Sequence, residues 1–103
     1  ILKYVEEHYG ERISLAQISE SIYLSQSYVS TLFKKETGKK FSNYLQEVRM
    51  KKSRKMLLDT QLSIQEIAVR SGFFDAAHFS HVFKEWYGLS PLEYRKAKHP
   101  TKI

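Results

Sequence analysis

Ser25-Gln-Ser-Tyr-Val-Ser-Thr-Leu-Phe-Lys-Lys-Glu-Thr-Gly38 comes back fifty residues later as Asp75-Ala-Ala-His-Phe-Ser-His-Val-Phe-Lys-Glu-Trp-Tyr-Gly88. Both copies hold Ser30/Ser80, Phe33/Phe83, Lys34/Lys84 and Gly38/Gly88, keep an apolar residue at Val29/Phe79 and Leu32/Val82, and are followed by Tyr44/Tyr94. A shorter amphipathic stretch precedes each: Ser14-Leu-Ala-Gln-Ile-Ser-Glu-Ser-Ile22 and Ser63-Ile-Gln-Glu-Ile-Ala-Val-Arg-Ser71. These upstream stretches align at an offset of 49 (Ser14/Ser63, Leu15/Ile64, Ile18/Ile67), so the second turn is one residue longer, and it carries Gly72. The repeated unit is helix, tight turn, helix.

Apolar residues recur at intervals of three and four rather than two, which predicts helices and leaves strands without support. The expected core is Leu15, Ile18 and Ile22; Val29, Leu32 and Phe33; Leu45, Val48 and Leu57 or Leu58; Ile64 and Ile67; and Phe79, Val82, Phe83 and Trp86. Ser14 with Gln17, Ser63 with Glu66 and Ser90 with Glu93 fit the capping box, and Pro91 suits a first helical position. Ser25 and Asp75 fit N-caps, Gly38 and Gly88 fit left-handed C-terminal residues, and Gly10 is expected to close the first helix. The expected helices run over 1–9, 14–22, 26–37, 42–59, 64–71, 76–87 and 91–98, an all-α chain of seven helices. The long helix joins the two units. At 1.5 Å per residue it spans about 27 Å, against about 34 Å for one turn of duplex DNA. It can therefore hold two second helices over adjacent major-groove segments, although an orientation in which one unit docks stays open.

At 103 residues, 42% hydrophobic and 14% aromatic, the chain has ample material for a core. It has no cysteine, which excludes disulfides and thiolate zinc sites. No apolar run reaches membrane-spanning length, and nothing resembles a signal peptide. The chain begins at Ile1, inside an amphipathic pattern and without an initiator Met, which predicts that it was cut from a longer polypeptide. The net charge is +6, and its placement says more than its total. Between Lys34 and Lys55 lie nine basic residues (Lys34, Lys35, Lys39, Lys40, Arg49, Lys51, Lys52, Arg54 and Lys55) against Glu36 and Glu47. A charge concentrated in this way is what a polyanion partner requires, and a solvated helix face is the bland alternative.

A doubled helix-turn-helix is a shape that seats its second helix in a DNA major groove, and a plain helical hairpin can repeat as well. The order of several spaced motifs is more specific. Phe33-Lys-Lys-Glu-Thr-Gly38, Tyr44-Leu45 with Arg49, Leu57-Leu58, Ile67-Ala68, Ser71-Gly-Phe73, Phe79-Ser80, Val82-Phe-Lys84 and Gly88-Leu-Ser-Pro91 ending in Tyr94-Arg95 resemble the C-terminal DNA-binding domain of the AraC/XylS family of bacterial transcription regulators. That resemblance covers residues 1–97. It implies a homeodomain-like arrangement: a first helix-turn-helix subdomain over 1–40, a linker helix over 41–60, a second subdomain over 61–97 and a frayed tail over 98–103. It further implies a cytoplasmic protein that binds double-stranded promoter DNA, activates by contact with RNA polymerase, and carries an N-terminal effector-binding or receiver domain missing from this chain. The wording around Tyr4-Val-Glu-Glu-His-Tyr9 looks most like the receiver-linked two-component response regulators. The isolated domain is expected to be monomeric. The family usually has an alanine near Ser53 and a glycine near Tyr23, and this chain departs at both.

Base contacts are expected from the outward face near the start of each second helix: Gln26, Ser27, Ser30 and Thr31 in the first unit, and Ala76, Ala77, His78, Ser80 and His81 in the second. By motif position, Ser27, Ser30, Thr31, Ala77 and His81 match places where family members commonly touch bases. Gln26 suits an adenine edge, the hydroxyls suit several bases, alanine suits a thymine methyl, and His81 could donate to guanine. Neither surface has an arginine, so phosphates and DNA shape are expected to supply much of the binding. The phosphate set is Ser25, Lys34, Lys35, Lys39, Lys40, Lys52, Lys55 and Lys84. Arg49 is the expected internal ion pair, with Glu20 or Glu47.

Competing readings are weak. Asp75, His78 and His81 could ligate a metal, but no fourth ligand is nearby, and no cofactor is expected. Ser80 beside His81 has no acidic partner, nucleophile turn or phosphate loop around it, so no enzyme is expected. RNA binding lacks an evident stacking platform, because most aromatics fall on expected core positions. A helical protein-interaction module with a basic surface is the remaining alternative.

Overall fold

The computed structural model describes residues 2–73 and 75–98. Seven α-helices and no strand occur among them: α1 Leu2–His8, α2 Leu15–Ser21, α3 Gln26–Thr37, α4 Phe41–Asp59, α5 Ile64–Arg70, α6 Ala76–Tyr87 and α7 Pro91–Lys98. The chain forms two compact units, and the boundary falls inside α4, between Val48 and Arg49. Lys98, expected both at the end of the last helix and at the start of the tail, is the last residue of α7. The remainder of that tail lies outside the described residues.

The first unit closes on Val5, Ile18, Phe33, Phe41, Leu45 and Val48. Phe33 is the hinge of this packing, edge-on to Phe41 at 5.5 Å and to Tyr44 at 5.4 Å. Helices α1 and α2 have seven residues each, too short to persist alone in water, so burial of Val5 and Ile18 holds them in place. Ser14 Oγ accepts the Gln17 amide at 3.2 Å, and Ser25 Oγ accepts that of Tyr28 at 3.2 Å. Gly38 ends α3 at φ 75°, its N–H donating to the Lys34 carbonyl.

The second unit closes on Met50, Leu57, Ile67, Ala68, Phe79, Val82, Phe83 and Tyr94. A chain of rings runs through it: Phe73 to Phe79 at 5.2 Å, Phe79 to Phe83 at 5.7 Å, and Phe83 to Tyr94 at 5.4 Å. Complete burial of Phe79 and of Phe83 stabilises the unit by about 2–3 kcal/mol each. Arg95 crosses to the far end of α4, donating to the carbonyls of Leu57 (3.0 Å), Leu62 (2.7 Å) and Thr60 (3.3 Å). One guanidinium thus satisfies carbonyls that the helix end and its following loop leave open.

Both tight turns are built alike. The amides of Tyr23 and Leu24 donate to Glu20 and Ser19, and forty-nine residues later those of Gly72 and Phe73 donate to Val69 and Ala68. This paired pattern is a Schellman ending, which needs a left-handed residue just past the helix. Gly72 fills that position at φ 90°, whereas Tyr23 fills it at φ 59°. Tyr23 is also 93% exposed, so no packing offsets the clash of its Cβ.

Four local expectations need correction. Ile22 and Trp86, expected in the core, are 45% and 43% exposed. Ile22 is the C-cap of α2, already turning away from the apolar stripe. Tyr87, tilted against Phe83 at 4.7 Å and against Tyr94 at 5.7 Å, takes the space that Trp86 was expected to fill. Most of the described aromatics are buried or half-buried, with Tyr4, Tyr23, Tyr28 and Trp86 exposed. Of the three capping boxes, Ser90 and Glu93 make the reciprocal pair, at 3.0 and 3.2 Å. The Ser90 amide and hydroxyl hold the Glu93 carboxyl below the usual range. Glu66 turns instead to Arg70 at 2.9 Å. Finally, α1 ends through a turn in which Glu11 N–H donates to the His8 carbonyl. The left-handed glycines are Gly38, Gly72 and Gly88, not Gly10.

Replacing Tyr23 by glycine removes about 1–2 kcal/mol of left-handed strain and adds about 0.5–1 kcal/mol of unfolded-state entropy. A net stabilisation of about 0.5–1 kcal/mol is expected in urea unfolding, and a lowered midpoint would show that the strain is absent. Arg95→Met should destabilise the second unit by about 2 kcal/mol, read as earlier loss of amide protection at the α4 end.

Candidate nucleic-acid interface

The second helix of each unit, α3 or α6, starts at a capped N-terminus and shows one face to solvent. In α3 the core takes Val29 and Phe33, which leaves Gln26, Ser27, Ser30, Thr31, Lys34 and Lys35 exposed. In α6 the core takes Phe79, Val82 and Phe83, which leaves Ala77, His78, His81 and Lys84 exposed. Ser27, Thr31 and Lys34 form a stripe at helical spacing, and Ala77, His81 and Lys84 repeat it at the offset of fifty. Ala76 and Ser80 of the expected base-contacting set are half-buried. The pseudo-equivalent Ser30 and Ser80 therefore do not offer their hydroxyls equally.

The N-caps do two things at once. The Ser25 oxygen accepts the Tyr28 amide and keeps its own proton to donate. Asp75 Oδ1 accepts the His78 amide at 2.7 Å, so its carboxylate is committed to the helix and complements the positive end of the dipole. The His78 ring leans on Phe73 at 5.6 Å. His81 Nε2 lies 3.0 Å from Glu85 Oε1. Among the described residues, no group of three or more His, Asp or Glu side chains gathers as metal ligands.

Lys34, Lys35, Lys40, Lys55 and Lys84 are exposed as a phosphate set requires. Lys39 is exposed too, but its ammonium is paired with Glu47. Lys52 is half-buried and interacts within the fold. Arg54 sits 5.8 Å over the Tyr87 ring. Arg49 is half-buried, and the loss of solvent lowers its guanidinium pKa. It has an interaction partner within the protein.

Two shallow concavities gather residues that the linear pattern kept apart. One, of about 570 Å³, brings Ser30, Lys34 and Lys40 together with the hydroxyls of Ser14 and Ser42. The other, of about 500 Å³, puts Tyr28 beside Ser27, Thr31 and Lys35. Ser14, Ser42 and Tyr28 were not among the expected contact residues. Helical spacing alone could have found Tyr28, which shares its face with Thr31 and Lys35; Ser14 and Ser42 come from other elements and needed the fold.

A helix-turn-helix domain family model matches residues 18–97. The chain belongs to the AraC-type helix-turn-helix family. That family consists of transcription-regulator domains and is not enzymatic. The Msm operon regulatory protein of Streptococcus mutans is 36% identical to this AraC-type domain over 96 residues, covering 93% of this chain and 34% of that protein. This chain thus spans about a third of that relative's length. Among solved structures, the C-terminal domain of the two-component response regulator YesN from Fusobacterium nucleatum superposes with a TM-score of 0.84 at 39% identity, covering 91% of this chain and 92% of that one. The C-terminal domain of AraT, a response regulator from Geobacillus stearothermophilus, gives 0.87 at 35% identity, with 92% and 79% covered. Among the described residues, no helix is long and apolar enough to cross a membrane.

Proposed function

We propose that this AraC-type domain is the double-stranded DNA-binding output of a bacterial transcription regulator acting in the cytoplasm. The observation that carries the reading is the repeated exposed stripe, Ser27–Thr31–Lys34 on α3 and Ala77–His81–Lys84 on α6. In each, two short side chains or a short side chain and an imidazole near a capped N-terminus lead into a lysine one turn on. This order suits a helix entering a major groove with its first turns at the bases and its later lysine at the phosphates. Membership in the family and the regulators that resemble the chain support the same reading. By the same kinship the full protein carries an upstream receiver or effector-binding domain, activates by contact with RNA polymerase, and leaves this domain monomeric when isolated.

Selection of duplexes from a random pool at near-physiological salt tests the reading. Two enriched blocks centred about ten base pairs apart are expected, one for each unit. No enrichment above background would overturn it in favour of a protein-interaction module.

Lys34→Glu and Lys84→Glu should weaken binding to the selected duplex evenly across sequence variants, and each should reduce the slope of log affinity against log salt by about one. Parent-like affinity at every salt concentration would remove both lysines from the interface. Glu47→Gln frees Lys39, so affinity at low salt should rise about two- to fivefold. An unchanged affinity would assign Lys39 to folding alone.

A further inference from the structure

The acidic residue on the exposed face of α6 is not an idle surface charge. Ala77, His81 and Glu85 follow one another at four-residue steps, and all three are exposed. Glu85 Oε1 lies 3.0 Å from His81 Nε2. A carboxylate oxygen can only accept, so the shared proton sits on Nε2. In the neutral imidazole that arrangement leaves Nδ1 as a bare lone pair. The ring held by Glu85 is therefore an acceptor toward anything else it meets. The second carboxylate oxygen of Glu85 is an acceptor as well.

The pair makes no sense as a folding device, because both partners are mostly in water, His81 at 75% and Glu85 at 65% side-chain exposure, where such pairs contribute little. Against DNA it also carries a cost, since a carboxylate beside phosphates repels them. The chemistry that makes use of it is base discrimination. In the major groove, adenine presents an N6 amine and cytosine an N4 amine, whereas guanine presents only the acceptors N7 and O6. An acceptor meets the amines with a hydrogen bond and meets guanine with two opposed lone pairs.

We propose that Glu85 is a positioning and specificity-determining residue of the second unit. It holds His81 with Nδ1 as acceptor, so that this face of α6 selects, on the strand it contacts, a base presenting an exocyclic amine, adenine or cytosine, and rejects guanine. The inference rests on the DNA-binding reading above and reverses the expectation that His81 donates to guanine.

The test is duplex selection at about pH 8, above the ordinary imidazole range, with the whole 103-residue chain, its His81→Arg variant and its Glu85→Ala variant. The arginine variant marks the position that residue 81 reads, because it should turn that position to guanine. At that same position the parent should prefer adenine or cytosine over guanine by about five- to tenfold. Glu85→Ala should lose most of this preference while binding all sequences more tightly. In parallel, ¹⁵N NMR of the free domain should show His81 protonated on Nε2 in the neutral form. Guanine selected by the parent, an undiminished preference in Glu85→Ala, or an Nδ1-protonated His81 in the free domain would each overturn the proposal while leaving DNA binding intact. Absence of any enriched duplex would instead remove the DNA-binding reading and this assignment with it.

Discussion

Burial of Phe33 on the inner face of α3 and of Phe83 on that of α6 is the constraint on which each unit depends. The helices packed around these rings are short, with α1, α2 and α5 at seven residues each. Such lengths do not reach the point at which propagation outweighs nucleation in water. Each is held because it contributes an apolar residue to the space around one ring: Val5 and Ile18 around Phe33, Ile67 and Ala68 around Phe83. The same rings fix rotation. With Phe33 inward, Ser27, Thr31 and Lys34 are turned outward; with Phe83 inward, so are Ala77, His81 and Lys84. Core and interface are two faces of one helical period.

The backbone adds a second constraint at the turn. A Schellman ending stops the first helix of each pair within one residue and satisfies two of its open carbonyls. It asks for a left-handed residue, and the two units answer differently, with Gly72 in one and Tyr23 in the other. The turn closes even against strain, because the packing on either side of it leaves the backbone no other course.

The two reading faces differ in chemistry despite their common construction. The first is rich in hydroxyls and lysines and includes the Tyr28 ring; the second is sparse, with a methyl, a histidine and a carboxylate in line. Neither carries an arginine, so neither has the planar fork that most often grips guanine. In the proposed DNA-bound state, much of the attraction to the polyanion falls to lysines such as Lys34, Lys40 and Lys84, which act as point charges.

The repeat, the helix limits, the N-caps and the inward positions were legible in the sequence, and α3, α6 and α7 run over the expected residues. They were legible because they rest on contacts three or four residues apart, which the order of residues displays directly. The left-handed residue at Tyr23 was not read from the sequence, where the only signal was the glycine that the family usually has near that position. What the sequence could not show were outcomes of competition for space and partners. Tyr87 rather than Trp86 fills the gap beside Phe83. Glu47 holds Lys39, eight residues away, and Arg95 reaches carbonyls more than thirty residues upstream. Ser80 is half-buried where Ser30 is open. Each was decided by the tertiary structure, because a side chain with several chemically equal partners takes the one that the packed helices bring within reach.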